Sequence, residues 1–156
     1  MSYILLNLRR KHKGEFLYYT QYQVDRDNYI RPTPLLIFVS DKDPSQRFLV
    51  DFFPALTFSW LIKKRLRQHQ TLAEDNEEEG AATYPHVLFI AGNNSTENRL
   101  VKLTQRLDVD FRVFTTTFNL LADSPSPSIW QDPEESFYLL DDEKIQHIRL
   151  TDTFDN

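Results

Sequence analysis

Asp51 is the residue of this chain whose surroundings most suggest chemistry. It stands inside the apolar run Phe48-Leu49-Val50-Asp51-Phe52-Phe53, and aspartate is disfavoured in strands. Alternation along a strand puts Leu49 and Phe53 on the same face as Asp51. Two readings follow. Asp51 is one ligand of a two-carboxylate metal site for phosphodiester hydrolysis, or it points to solvent from an edge strand. The other chemistry-bearing feature is cationic. Lys63-Lys64-Arg65-Leu66-Arg67-Gln68-His69 is the densest basic stretch, and Arg9-Arg10-Lys11-His12-Lys13 is the second. Such clusters can neutralise phosphates even on a chain of net charge −5, because screening over about 8–10 Å makes the local field matter more than the total. The competing account is that a helix packed on an apolar stripe must show polar residues to water, and that the acidic run after it neutralises its charge.

Other chemistries have little material. The histidines at 12, 69, 86 and 147 are scattered, and none forms the i, i+4 pair of a helical zinc site. Structural or surface roles are expected for them. There are no cysteines, so disulfides, thiolate metal sites and thiol nucleophiles are ruled out. Glycines fall only at 14, 80 and 92, too few for a phosphate-binding glycine loop or a nucleophile elbow. Ser95 and Thr96 after Gly92-Asn93-Asn94 could offer backbone N–H groups to an anion, but ordinary helix capping calls for the same residues.

These groups must be carried by elements that the hydrophobic pattern outlines. Residues 3–13 suit a helix capped by Ser2, with Ile4, Leu5 and Leu8 on one face and Gly14 as its stop; a strand leading into a hairpin is the alternative. Phe16–Val24, Pro34–Ser40 and Phe48–Phe53 have strand composition, and Pro54 ends the third. Thr57 is expected to cap a helix whose apolar stripe is Phe58, Leu61, Ile62 and Leu66, which leaves Lys63, Lys64 and Arg67 facing outward. Residues 74–80, dense in like charge, are expected to form a mobile acidic loop. His86–Ala91 is a strand of the buried kind. A helix with Leu100, Val101, Leu103 and Leu107 follows, and then a strand over Phe111–Thr117. The proline-broken remainder, 128–150, is expected to pack at the sheet edge, with 151–156 a frayed tail. With 156 residues this is one α/β domain over 1–150, a mixed central sheet with helices on its faces. No apolar run approaches the roughly 20 residues of a membrane span, and the N-terminus lacks the order of a signal peptide. A cytoplasmic protein with no membrane partner is expected.

The order of these pieces resembles the restriction-endonuclease-like nucleases, whose core is αβββαβ, here followed by an extra helix and strand. More narrowly it resembles the nuclease-like portion of the replication-relaxation family of plasmids and mobile elements. The residues that carry this likeness are Arg31-Pro32-Thr33, Phe48-Leu49-Val50-Asp51, the helix with Lys63 and Lys64, Tyr84-Pro85-His86-Val87-Leu88-Phe89-Ile90, Phe114-Thr115-Thr116 and Ile129-Trp130. The resemblance implies acidic residues on the second and third strands with a lysine nearby. Thr33 stands where the family pattern has aspartate, and Phe53 replaces the second acid of the third strand. Asp41 and Asp43 lie too far along to substitute for Thr33. One carboxylate holds Mg²⁺ poorly. The expectation is therefore a non-catalytic nuclease-fold domain with no cofactor. It would act in DNA replication or processing by binding DNA, or a DNA-processing protein, through Lys63, Lys64 and Arg67, with Arg9 and Arg10 as further nucleic-acid contacts. One alternative is a protein-interaction subunit, suggested by Phe52, Phe53, Phe58, Trp60, Phe137 and Tyr138. The other is a residual Mg²⁺-dependent nuclease that recruits Glu15, Asp25 or Asp27 to Asp51.

Overall fold

The computed structural model describes residues 2–12, 14–19, 35–40, 47–78, 84–125 and 128–136. In chain order these form α1 (Ser2–Lys11), β1 (Gly14–Tyr19), β2 (Leu35–Ser40), β3 (Arg47–Phe53), α2 (Ser59–Glu78), β4 (His86–Ala91), α3 (Asn94–Leu107), β5 (Val113–Thr117), α4 (Phe118–Asp123) and α5 (Pro133–Ser136). The five strands make one mixed sheet in the order β1-β2-β3-β4-β5. β2 runs antiparallel to both of its neighbours, and β3, β4 and β5 are parallel. Two helical crossovers, α2 and α3, join the parallel strands in sequence. Both lie on one face of the sheet, as two crossovers of the same hand must when strands are added in order.

Alternation divides the strands between two cores. Leu49, Phe53, Val87, Phe89 and Val113 meet Ile62 and Leu66 of α2 and Leu100 and Leu103 of α3. On the other face Phe48, Val50, Leu88, Ile90 and Phe114 meet Ile4 and Leu8 of α1, Leu121 of α4, and Ile129 and Trp130. The result is helices, sheet and helices in three layers, which explains why His86–Ala91 is a nearly unbroken apolar run: both of its faces are covered. Past β5 the chain returns beside its last strand. Thr115 and Gln131 exchange two backbone hydrogen bonds of 2.8 Å, and Arg112 holds Asp132 Oδ2 through two N–H groups at 3.1 and 2.9 Å. Among the described residues no helix is long and apolar enough to cross a membrane.

Several local expectations are corrected. Thr57 does not cap α2: its hydroxyl donates to the Pro54 carbonyl at 2.7 Å, closing a turn, and Phe58 supplies the first carbonyl used by the helix, accepting from Leu61 and Ile62. Phe58 is 67% exposed, so it is not in the stripe. The buried line is Ile62, Leu66, His69 and Ala73. The acidic run is not a loop up to residue 78, because α2 continues through Glu78. α3 is capped by Asn93, whose Oδ1 accepts from Thr96 N at 2.9 Å, rather than by Ser95 or Thr96. The N-terminal segment is the helix, with β1 starting at Gly14. The tail 151–156 lies outside the described residues.

His12, just past α1, is buried and accepts a hydrogen bond at 3.0 Å from the Trp130 indole N–H. Burial, assisted by the Lys11 charge, lowers its pKa to about 4. Between about 6.5 and 4 the unfolded chain takes up a proton that the folded chain refuses, so stability is full above this window and is lost as pH falls through it. The loss is on the order of 2–3 kcal/mol. His12→Gln keeps an acceptor for Trp130 without titrating. The gap in melting temperature between wild type and His12→Gln should therefore narrow as pH falls from 7 to 4. Burial raises the Glu97 carboxyl, which acts in the opposite sense, but it is common to both proteins and cancels. A gap constant with pH would contradict the assignment.

Candidate functional site

Asp51 lies on a central strand, between β2 and β4, and its side chain points to the α2 face with 12% of its surface exposed. The solvent-facing edge-strand reading is thereby corrected. Its Oδ1 accepts from the next residue's N–H, Phe52, at 2.8 Å. Its Oδ2 is 3.5 Å from an Arg65 guanidinium nitrogen and 3.7 Å from His69 Nε2. Arg65 and His69 are one helical turn apart, and on α2 this spacing brings both down onto the sheet above Asp51. The other His69 ring nitrogen, Nδ1, shares a 2.8 Å hydrogen bond with the Tyr84 hydroxyl. Phe89 and Phe111 pack edge-on or tilted against the imidazole, each with ring centroids 5.7 Å from it. Burial, and behind it the Asp51 charge, push the Tyr84 hydroxyl up, so it stays neutral. Asp51 Oδ2 and His69 Nε2 are both buried without a hydrogen-bond partner, and they lie just beyond hydrogen-bonding distance of each other.

This arrangement is a carboxylate answered by an arginine and a histidine. Among the described residues no group of three His, Asp or Glu side chains could hold a metal ion. Glu15 pairs across β1 and β2 with Val39, which pairs with Arg47. Its place in the sheet is therefore two strands across and roughly 13 Å along from Asp51, out of reach for a shared cation. Asp25, Asp27, Thr33, Asp41 and Asp43 lie outside the described residues, as do Phe137, Tyr138 and His147.

Lys63, Lys64 and Arg67 are exposed on the outward side of α2, opposite Ile62 and Leu66. Trp60, 63% exposed, shares their side at i, i+3, i+4 and i+7, so the four form one stripe. Arg9 and Arg10 are also exposed, but on α1, in the opposite layer of the sandwich. The structure does not bring the two basic clusters together. Glu74 and Asp75, also exposed, sit further along α2. Lys63 and Glu74 are about 16 Å apart along the axis, beyond the screening length, and Arg67 and Glu74 about 10 Å, so the acidic end acts on Arg67 and leaves Lys63 and Lys64 little affected.

The loop entering α2 is fixed from α3. Ala55 O accepts from Thr96 Oγ1 at 2.8 Å and from Asn93 Nδ2 at 3.3 Å. Thr57 O accepts from Arg99 at 3.1 Å, and Gly92 N–H donates to Phe53 O at 2.7 Å. Thr96 is thus spent, its hydroxyl on this loop and its N–H on the Asn93 cap, and neither is left for an anion. The pinned loop holds Leu56 (86% exposed) and Phe58 outward. Sequence reasoning named Asp51, Lys63, Lys64, Arg67 and the aromatic residues, but missed Arg65, His69 and Tyr84. A signal existed for His69, which falls on the Ile62–Leu66–Ala73 line. No family model, curated protein or solved structure matches this chain.

Two outcomes are expected in urea denaturation. Tyr84→Phe leaves His69 Nδ1 unpaired in the core and should cost about 1–2 kcal/mol; an unchanged midpoint would argue against the network. Gly92→Ala should cost about 1–3 kcal/mol, since a Cβ there would lie 2.4 Å from Ala55 N and 2.9 Å from Pro54 C. Those are backbone atoms, so the loop itself must shift. Wild-type stability in Gly92→Ala would show that the loop is not held this closely.

Proposed function

We propose that this chain is a non-catalytic domain of nuclease-like fold that binds nucleic acid through the outward face of α2, as a component of DNA replication or processing in a plasmid, phage or other mobile element. The observation that carries the proposal is the charge layout of α2. A helix is stabilised by acids in its first turn and bases in its last. α2 has no acid in its first turn and no base in its last; Lys63, Lys64 and Arg67 lie toward its N-terminal half and Glu74, Asp75, Glu77 and Glu78 at its C-terminal end. Helix stability does not account for this order, whereas an exposed cationic face on an acidic chain accounts for it as a phosphate contact.

Two further features support the reading. The element order α1-β1-β2-β3-α2-β4 is the order that a restriction-endonuclease-like core requires. Asp51, the carboxylate at the expected third-strand position, is engaged by Arg65 and His69, which favours the non-catalytic reading. Arg9 and Arg10, in the other layer, are left out of the interface. A second reading, a protein-interaction subunit without nucleic acid, is favoured by the exposure of Leu56, Phe58 and Trp60.

Fluorescence anisotropy with labelled duplex and single-stranded DNA tests the charge contribution. Three phosphate contacts predict that affinity for whichever form binds falls about 20- to 40-fold between 50 and 200 mM salt. The Lys63→Ala/Lys64→Ala/Arg67→Ala variant should lose binding, and Arg9→Ala/Arg10→Ala should keep it. Negligible binding to both forms by wild type, or binding unchanged in the triple variant, would refute the proposal.

A further inference from the structure

We infer that the ligand of this face is single-stranded nucleic acid, with Trp60 stacking on an unpaired base while Lys63, Lys64 and Arg67 neutralise the adjoining phosphates. The inference deepens the nucleic-acid reading above and rests on it. Trp60 is not a stray surface aromatic. It occupies the first turn of α2 in line with the three cations, and the whole stripe spans about 10 Å of helix. Beside it Phe58 is 67% exposed and Leu56 is 86% exposed. The loop that carries those two side chains is held by hydrogen bonds from Asn93, Thr96 and Arg99 to its carbonyls, so it is not free to fold over and cover the indole. The chain thus keeps a rigid aromatic face open to water at one end of a cationic row.

That pairing selects among polyanions. A duplex hides its base faces in the stack and offers phosphates and base edges, which are read by hydrogen-bonding side chains rather than by an indole. A single strand offers both phosphates and open π-faces, and stacking on an aromatic side chain is tolerant of sequence because every base has such a face. The cations supply the backbone attraction, and the aromatic end supplies what a duplex cannot use. With only three cations, affinity is modest and its dependence on salt shallow, a log–log slope of about −2 for a single strand.

The test uses the full chain with three probes of equal length: an oligothymidine, an abasic oligonucleotide and a duplex. The oligothymidine should bind tightest. The abasic strand should bind about tenfold more weakly, and Trp60→Ala should weaken oligothymidine binding by about the same factor, while Trp60→Phe keeps most of it. Trp130 is fully buried, so quenching of tryptophan emission by oligothymidine should come from Trp60 and vanish in Trp60→Phe. Circular dichroism checks that the variants fold. Equal affinity for the oligothymidine and the abasic strand, no effect of Trp60→Ala, or a preference for duplex would overturn the inference while leaving a charge-dependent DNA contact standing. Absence of salt-dependent binding to all three probes would overturn both. So would tighter, Trp60-dependent binding to phosphatidylserine vesicles, which would make the face a membrane contact.

Discussion

A carboxylate buried in the middle of a sheet must be answered by something, and in this protein the answer sets the rotation of the longest helix. Asp51 sits on β3 with covered strands on both sides, and leaving its charge uncompensated there would be costly. Arg65 supplies the opposite charge from α2, and His69 Nε2 lies beside the same oxygen. Once these two face the sheet, helical geometry leaves little choice for the rest. Ile62, Leu66 and Ala73 fall on the buried line, and Trp60, Lys63, Lys64 and Arg67 fall about half a turn away, facing outward. The inward electrostatic constraint and the outward basic stripe are two consequences of one helix orientation.

The second constraint is steric. The loop between β3 and α2 passes so close to Gly92 that a side chain there would meet its backbone. The same contact lets Asn93 act twice, capping α3 through Oδ1 and holding Ala55 through Nδ2. The start of one crossover helix is therefore fastened to the start of the other, and α2 can begin only where the loop delivers it. Leu56 and Phe58 face outward because the loop's carbonyls, not its side chains, are used for fastening. Exposing that much apolar surface costs stability, and so do the acids in the last turn of α2, which oppose its dipole.

Much of the architecture was legible because it rests on periodicity. The strands at 35–40, 47–53 and 86–91 and the helix with Leu100 and Leu103 follow from apolar runs and spacing alone. The errors arose where local chemistry outcompeted the pattern. Thr57 has the composition of a helix cap, but its hydroxyl is used in the turn after Pro54. Phe58 fits the spacing of a core stripe but precedes the first helical turn. The acidic run looked too charged to order, yet α2 reaches Glu78, with Gln70 bonding Glu74 at 2.9 Å one turn before. The site was half legible. Asp51 stood out by being polar in an apolar run. Its partners did not, since Arg65 is inconspicuous among other basic residues, and Tyr84 reaches His69 only through tertiary folding.

The balance of charge around Asp51 also bears on its fitness as a metal ligand. A divalent cation needs several oxygen ligands and a surplus of negative charge, because dehydration has to be compensated by ionic attraction. Here one carboxylate faces a permanently charged guanidinium and an imidazole whose second nitrogen is already engaged by Tyr84. Among the described residues an incoming cation would have to displace Arg65 and would find at most Asp51 and His69 Nε2 as ligands. Seen from the other side, the same arginine makes Asp51 a stable part of the core without a metal. The positive charge of α2 is therefore divided by position: Arg65, turned inward, is consumed by the fold, whereas Lys63, Lys64 and Arg67, turned outward, stand exposed to solvent.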